Sequence, residues 1–343
     1  MWQIDNRTPF AAAGTWVRDR DGREIWVVAV KATFTVDPGG IVKVAMRQEP
    51  VFVGPRHRGE PGKSSLLGES DLVLTKRTTD IIVNGLALAP RGRAVESMTV
   101  GVRVGPVAKQ LRVVGDRRWR LGRPGAAQPF VEMPIVYERA FGGADADGGE
   151  WEPRNPVGTG FAARREQLDA SPPPNVEYAD DTVGSWRARP RPAGFGAIES
   201  HWQPRARWGG TYDKRWISTR LPLPPADFDD RWFQCAPVDQ QAPKYLDGGE
   251  PVVLRGFSAD GDQSFELPRC APTFETRFFT GAPEKHVARL HSVVLEPPAF
   301  SLVFHTALPC HQRCASLERT VVACDWARIA IWLPDAAADS QAL

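Results

Sequence analysis

The sequence has no long apolar run and no recognisable leader. The longest apolar run near its beginning is Ile25–Val30, whereas a helix needs about 20 consecutive apolar residues to cross a membrane. The first residues, Met1–Asn6, lack the basic region followed by an apolar one that marks a secretory signal. We therefore expect a cytoplasmic protein with no membrane partner.

An excess of one charge is missing as well. Among 343 residues, 43 lysines and arginines nearly balance 41 aspartates and glutamates, which gives a net charge of +2. Surfaces that bind nucleic acid or an anionic membrane carry a clear basic excess, so we expect no nucleic-acid partner. Cysteine is scarce, and its odd number, five, does not resemble a disulfide framework. We therefore expect reduced thiols.

Familiar catalytic and cofactor-binding motifs are also absent from the sequence. There is no Gly-x-Ser-x-Gly elbow, no His-Glu-x-x-His and no dinucleotide fingerprint. Gly62–Ser64 resembles the end of a phosphate-binding loop, but His57 stands where that motif needs its first glycine. A basic surface loop is the better interpretation. We expect no enzyme activity, no cofactor and no small-molecule substrate.

Two stretches are candidate metal sites. The loop Asp145–Glu150 gathers carboxylates, but it lacks the ligand spacing of a calcium-binding EF-hand loop. Cys310 and Cys314 have three residues between them, with His311 inside and His305 upstream. Structural zinc sites need a second matching pair of ligands, and none is evident. Buried or free thiols at a strand end are therefore favoured, and metal binding by Cys310 and Cys314 stays open.

What the sequence does contain is turns and strands. It has 31 glycines and 31 prolines, and Trp26–Val36 alternates apolar and polar residues as a half-buried strand does. The turn Asp37–Gly40 then leads to a hairpin partner at Ile41–Val44. Further strands are predicted at Leu72–Thr75, Ile81–Val83, Met98–Val104, Leu111–Val114, Val252–Leu254, Ser264–Leu267, Ser292–Leu295, Phe300–His305 and Ile329–Leu333.

These strands predict a mainly β fold of two β-sandwich-like lobes. The first lobe spans residues 1–136 and the second spans residues 231–343. Residues 137–230 join them as a long irregular segment rich in glycine, proline and tryptophan, with little helix beyond Phe161–Leu168. Flexible linkers are poor in aromatic residues, so we expect this segment to be ordered. Long ordered loops are usually functional.

Five motifs occur in one order along the chain: Tyr137–Gly143, Asn155–Phe161, Gly210–Trp216, Pro224–Asp229 and Ala236–Gln240. Together they resemble a bacterial domain-of-unknown-function family associated with type VI secretion. The resemblance extends over nearly the whole chain. It implies a non-catalytic effector adaptor or chaperone, encoded beside spike proteins and PAAR-tipped effectors. Its expected partners are a PAAR-domain effector, the spike protein, or both, and it would act in the bacterial cytoplasm by helping to load the effector onto the spike.

The resemblance also supplies the candidate protein-binding residues. They are Tyr137, Glu138, Arg139, Phe141, Gly142, Gly143, Asn155, Pro156, Phe161, Tyr212, Asp213 and Trp216. Two interpretations remain equally open. Either these residues contact the cargo directly, or they lock the loops together and leave other residues to contact it.

Two other functions compete with the adaptor. One is a structural accessory role in the secretion apparatus. The other is a carbohydrate-binding or carbohydrate-cleaving β-sandwich, because Trp202, Trp208, Trp216 and Trp232 lie near Asp227, Asp229 and Asp230 in the sequence. A glycosidase needs two carboxylates about 5 to 10 Å apart, and aromatic rings also anchor protein interfaces. Equally, these tryptophans could fill the core beneath the loops.

Overall fold

The computed structural model describes residues 3–145, 149–310 and 312–324. Its strands, in chain order, are β1 (Gln3–Asn6), β2 (Ala11–Arg18), β3 (Glu24–Val36), β4 (Val42–Val44), β5 (Arg56–His57), β6 (Leu66–Gly68), β7 (Asp80–Val83), β8 (Leu86–Leu88), β9 (Ser97–Val104), β10 (Val107–Val114), β11 (Trp119–Arg120), β12 (Arg123–Pro124), β13 (Glu132–Pro134), β14 (Phe141–Gly142), β15 (Thr159–Gly160), β16 (Val176–Glu177), β17 (Pro251–Arg255), β18 (Gln263–Glu266), β19 (Thr273–Phe278), β20 (Glu284–His286), β21 (Arg289–Glu296), β22 (Ala299–Pro309) and β23 (Leu317–Ala323). The predicted strand Ile329–Leu333 and residues 146–148 of the Asp145–Glu150 loop lie outside the described residues.

Helix is scarce in the described residues. They contain one α-helix, α1 (Lys214–Thr219), and short 3-10 helices at Pro90–Gly92, Tyr137–Arg139, Arg165–Ala170, Arg205–Gly209, Asp230–Phe233, Val238–Gln240 and Cys314–Ser316. In this part of the chain no helix has both the length and the apolar character needed to cross a membrane.

The two large sheets combine strands from both ends of the chain. A six-stranded sheet has the order β2-β3-β22-β21-β7, with β4 paired to β3, and a five-stranded sheet has the order β16-β10-β9-β17-β18. Strands β3 and β22 pair antiparallel from Thr35 opposite Ala299 to Ile25 opposite Pro309. The mainly β class is confirmed. The two-lobe arrangement joined by residues 137–230 is not confirmed, because strands of residues 1–136 and of residues 231–343 share both sheets.

The two large sheets pack face to face around one apolar core. The ring of Phe300 in β22 stacks on Phe34 of β3, with 5.2 Å between ring centroids, and on Phe265 of β18 at 5.0 Å. Leu302 and Phe304 are buried on the same face of β22, as the alternation of that strand predicted. Burying each such side chain contributes about 1.5–3 kcal/mol, so this seam is a main source of stability.

Strand β3 is buried on both faces, although its alternation predicted a half-buried strand. Lys31 and Thr33 point away from the apolar core and are only 3% and 4% exposed. Lys31 Nζ lies 3.2 Å from Asp71 Oδ2, and the backbone N–H of Thr33 donates to Gln48 Oε1 at 2.8 Å. The segment between β4 and β7 therefore covers the second face and satisfies its polar groups.

Two local predictions are wrong. Leu72–Thr75 is not a strand; Leu72 and Val73 are buried, and Leu72 packs against the second face of the six-stranded sheet. This apolar run therefore covers a sheet and does not pair within one. The helix predicted at Phe161–Leu168 is a 3-10 helix over Arg165–Ala170. Phe161 and Ala162 are buried in the turn before it.

A four-stranded sheet, β1-β23-β19-β20, joins the same core. Phe274 and Val322 from its two central strands belong to the main buried cluster. Trp26 of β3 donates from its indole N–H to Thr320 Oγ1 at 2.9 Å. The sheets and their shared core thus form the scaffold that carries residues 137–230.

Candidate protein-binding surface

The first candidate residue, Tyr137, lies inside the protein. It is 5% exposed, and its ring meets Trp202 edge-on with centroids 5.6 Å apart. Its hydroxyl donates to the carbonyl of Gly196 at 3.3 Å. A Cβ on Gly194 would come within 2.8 Å of the Tyr137 ring. Tyr137 is therefore enclosed by the chain that follows it and has no face available for a partner.

Asn155 is the centre of what we call the inner motif region, residues 137–161. Its side chain is buried, and its Nδ2 donates to the carbonyls of Tyr137 at 2.8 Å and Phe141 at 3.0 Å. The Asn155 carbonyl in turn accepts from the Gly143 N–H at 2.8 Å. A Cβ on Gly142 would lie 2.1 Å from that carbonyl oxygen. Only glycine fits this close backbone approach, which explains the Gly142-Gly143 pair.

Phe141 and Phe161 complete the inner motif region. Phe141 is 1% exposed and Phe161 is 6% exposed. Phe141 lies in β14, which pairs parallel with β15 next to Phe161. The Arg189 guanidinium lies 4.6 Å from the Phe161 ring centroid, and Pro156 is half-buried. The aromatic members of this region therefore hold its loops together.

Glu138 and Arg139 lie at the edge of this region. The Glu138 carboxylate accepts from the backbone N–H of Ser65 at 2.7 Å and from its hydroxyl at 2.8 Å. Arg139 Nη1 donates to Asp116 Oδ1 at 3.2 Å and to Asn175 Oδ1 at 3.0 Å. Both residues line an open groove of about 940 Å³. Glu138 is held by Ser65 and Arg139 is paired with Asp116, so both residues position loops at the edge of the groove.

The remaining candidates lie in what we call the outer excursion, residues 210–228. Tyr212 is 60% exposed, and its ring meets Trp216 edge-on at 4.7 Å. The indole N–H of Trp216 donates to the Leu223 carbonyl at 2.8 Å. Asp213 is the N-cap of α1, and its Oδ1 accepts from the Trp216 N–H at 2.8 Å. The tip of the excursion is thus ordered while Tyr212 faces solvent.

Contacts at its base fix the outer excursion in place. The Thr211 N–H and hydroxyl donate to Asp227 at 3.0 and 2.8 Å, and these hydrogen bonds lower the pKa of Asp227. Arg220 donates to the carbonyls of Pro224 and Arg20, which ties the excursion to the turn between β2 and β3. Its exposed residues are therefore presented on a defined surface.

Two apolar residues of the outer excursion were missed by the sequence analysis. Ile217 is 57% exposed and Leu221 is 58% exposed. Ile217 lies in α1, and Leu221 lies just beyond its C-cap, Arg220. Large apolar side chains grouped on a protein surface mark interaction sites. Recognising the cap at Asp213 would have identified the helix that presents Ile217.

The tryptophan cluster does not form an open aromatic platform. Trp202 is 1% exposed, and the guanidinium of Arg231 lies 3.2 Å from the Trp208 ring centroid. Asp229 accepts from Arg231 and forms an ion pair with Arg77; the hydrogen bonds from Arg231 are the main reason its pKa falls to about 2. Asp227 and Asp229 are thus each held by hydrogen bonds from a neighbouring side chain.

One further motif acts inside the protein. Gln240, from the Ala236–Gln240 motif, donates from Nε2 to the carbonyls of Ile81 at 2.8 Å and Phe195 at 2.9 Å. Lys109 Nζ donates to Gln240 Oε1 at 2.8 Å and to Asp239 Oδ1 at 2.9 Å. Burial lowers the pKa of Lys109 to about 8. This motif therefore ties β10 of the five-stranded sheet to β7 of the six-stranded one.

The candidate zinc ligands are only partly described. Cys310 is fully buried, and burial raises its thiol pKa to about 11, while His311 lies outside the described residues. Within residues 3–145, 149–310 and 312–324, no three or more histidine, cysteine, aspartate or glutamate side chains are grouped so as to hold a metal ion. The described geometry gives Cys310 a packing role.

Comparison with known proteins finds one family. The sequence profile described as an uncharacterized protein conserved in bacteria (DUF2169) matches residues 21–305. No curated protein and no solved structure matches the chain.

Proposed function

Because the chain belongs to the DUF2169 family of uncharacterized proteins conserved in bacteria, we propose that it is a type VI secretion effector adaptor. In this proposal it binds a PAAR-containing effector in the bacterial cytoplasm and aids its loading onto the spike protein. The proposal rests on the motifs Tyr137–Gly143, Asn155–Phe161 and Gly210–Trp216. It also rests on the exposed large side chains of the outer excursion. The adaptor binds and releases its cargo and performs no chemistry on it.

The single observation that carries the proposal is the exposure of Tyr212, Ile217 and Leu221 on one ordered segment. These side chains are 60%, 57% and 58% exposed, and none of them belongs to a buried apolar cluster of the described residues. Tyrosine is among the residues that carry most of the binding energy where they enter a well-packed pocket of a partner. Since the base of the excursion is fixed, little conformational entropy is lost when a partner binds.

In this proposal the candidate residues divide into two roles. Tyr137, Phe141, Asn155 and Phe161 hold the loops, because they are buried. Tyr212 contacts the effector, with Trp216 of α1 packed against it and Asp213 capping that helix. The buried motif residues thus lock the loops together, and the exposed one contacts the cargo. Each of the two interpretations therefore applies to a different part of the segment.

Co-expression tests the proposal directly. The tagged chain is produced together with the N-terminal region of a PAAR-containing effector from the same genome, and the complex is isolated on the tag and by size-exclusion chromatography. We expect co-elution with the intact chain and its loss with the double variant Ile217→Glu, Leu221→Glu, because two charges would enter the apolar contact.

The matched control is Met46→Glu with Val53→Glu. These two residues are also exposed, at 95% and 78%, but they lie in the loop after β4. We expect this variant to co-elute normally. Absence of a complex with the intact chain, or equal loss in both double variants, would contradict the proposal.

A further inference from the structure

A second concave site lies far along the chain from the outer excursion. It is an open cleft of about 340 Å³ formed by β20, β21, β22 and the segment at Leu74 and Thr75. We call it the histidine cleft, because His286, His291 and His305 all line it. The adaptor proposal does not involve it, and the five motifs do not include these histidines.

A β-bulge brings two of the imidazoles together. The pairing of β21 with β22 shifts between Leu290 and Ser292, so that His291 is the extra residue with no partner across the strands. Its ring stacks on His305 with centroids 4.2 Å apart and an interplanar angle of 16°. Bulges often re-aim a side chain beside a functional site. Here the bulge turns His291 onto the face of the sheet that carries His305.

Each of the three imidazoles has a buried nitrogen without a hydrogen-bond partner among the described residues. These atoms are His286 Nε2, His291 Nδ1 and His305 Nε2. His291 and His305 are themselves only 3% and 2% exposed. A buried polar atom left unsatisfied is destabilising, and three such atoms around one cleft call for a ligand that satisfies them.

The charges around the cleft indicate the sign of that ligand. Lys285 and Arg289 line it and are exposed, and none of the described lining residues is an aspartate or glutamate. Two carboxylates on the neighbouring strands β7 and β20 are already paired with cations. Asp80 Oδ2 lies 2.6 Å from Lys76 Nζ, and Glu284 Oε1 lies 2.7 Å from Arg313 Nη1. The residues that line the cleft therefore offer two positive charges and no carboxylate.

We infer that the histidine cleft binds a small organic carboxylate. Arg289 and Lys285 would hold the carboxylate through charge-assisted hydrogen bonds, and imidazole N–H groups would complete its contacts from the cleft floor. Leu74, Val287 and Leu308 also line the cleft, and they suit a short apolar body attached to the carboxylate. That apolar lining is the reason to choose an organic acid over inorganic phosphate.

Binding at this site is coupled to protonation. Burial, with the neighbouring His305 and Lys76, lowers the pKa of His291. Burial also lowers the pKa of His305 to about 4, partly opposed by a backbone hydrogen bond with Val73. A bound carboxylate stabilises the protonated imidazoles and raises these pKa values. By linkage, the carboxylate binds more tightly as the pH falls.

The test is a titration of the full chain, labelled with ¹⁵N-histidine, followed by NMR. Sodium butyrate is the probe, butyramide is the neutral control of the same shape, and inorganic phosphate is the competing oxyanion. We expect butyrate to shift the imidazole resonances of the three histidines and to bind about fivefold more tightly at about pH 6 than at about pH 7. Butyramide shifts of equal size, tighter binding of phosphate, or pH-independent binding would each overturn the inference.

A surface variant separates binding from folding. Arg289→Gln removes an exposed charge, and we expect it to weaken butyrate binding about tenfold through the lost charge-assisted hydrogen bonds. Arg103→Gln is the matched control, since Arg103 is an exposed arginine on β9 of the other sheet. It should bind butyrate as the intact chain does. Unchanged binding by Arg289→Gln, or equal weakening by both variants, would contradict the assignment.

Discussion

The inner motif region and the outer excursion have the same kind of sequence and opposite surroundings. Both combine paired glycines with aromatic residues. The inner motif region has Gly142-Gly143 beside Phe141, and Gly209-Gly210 lead into Tyr212 of the outer excursion. Phe141 is 1% exposed, whereas Tyr212 is 60% exposed. The comparison teaches that a glycine-aromatic motif marks a closely packed turn, and that the rest of the fold decides whether the turn is covered.

The two regions also differ in how many contacts fix each residue. Asn155 alone joins three backbone positions of the inner motif region through hydrogen bonds. Tyr212 touches Trp216 through a single ring pair. Removing a residue from the first region therefore disturbs several strands and turns, while removing one from the second changes mainly what the surface presents.

The largest effect is expected for Phe141→Ala. Truncating a fully buried phenylalanine leaves a cavity and lowers the free energy of unfolding by about 3–5 kcal/mol. Urea denaturation followed by tryptophan fluorescence measures this. Phe279→Ala serves as the control, because Phe279 is 71% exposed and its loss should change stability by at most about 0.5 kcal/mol. Full stability of Phe141→Ala together with lost effector binding would break the comparison.

A smaller and different effect is expected for Tyr212→Ala. The thermal midpoint should stay that of the intact chain, because Tyr212 fills no core position. Effector binding should weaken about thirtyfold, since truncating a central interface tyrosine costs about 2 kcal/mol. Isothermal titration with the effector's N-terminal region measures the dissociation constant, and Phe279→Ala again provides an exposed aromatic control. A drop in thermal midpoint like that of Phe141→Ala would assign Tyr212 to the scaffold instead.

The smallest effect is expected from a change of pH. It should lower the stability that the buried histidines contribute to the core and leave the contacts near the outer excursion unchanged. His291 and His305 have pKa values below the ordinary 6.5 in the folded chain. The unfolded chain therefore binds protons first, and the stability contributed by the neutral pair is complete above about pH 6.5 and is lost as the pH falls toward 4. At about pH 6 we expect a loss of about 1–2 kcal/mol. Asp229, whose pKa is about 2, keeps its charge and its contacts with Arg231 near the excursion.

Thermal melts between neutral and acidic pH measure this effect. His305→Gln should melt with a weaker pH dependence than the intact chain, because one of the two buried imidazoles no longer titrates. His201→Gln is the control, since the His201 side chain is 62% exposed, and it should melt with the pH dependence of the intact chain. An unchanged slope in His305→Gln would show that other groups cause the acid sensitivity.

Much of the local structure was predictable from the sequence. The strands at Trp26–Val36, Met98–Val104 and Phe300–His305 were identified correctly because alternation of apolar side chains is a local property. The mainly β class and the bacterial family followed from the turns and from the motif order. The prediction failed at Leu72–Thr75, where an apolar run covers a sheet. A buried segment that does not pair with a strand can have the same apolar composition as a strand, so composition alone does not distinguish the two.

The sequence by itself determined which residues form strands, which turns need glycine, and which motifs identify the family. Only the tertiary structure decided that β3 pairs with β22, that both chain ends share two sheets, and that Phe141 is enclosed while Tyr212 is exposed. The physical reason is that side-chain periodicity is set by neighbours along the chain, whereas strand pairing and burial depend on residues hundreds of positions away. The stacked pair of His291 and His305 shows the same limit, since a bulge in one strand and the register of another were both needed to form it.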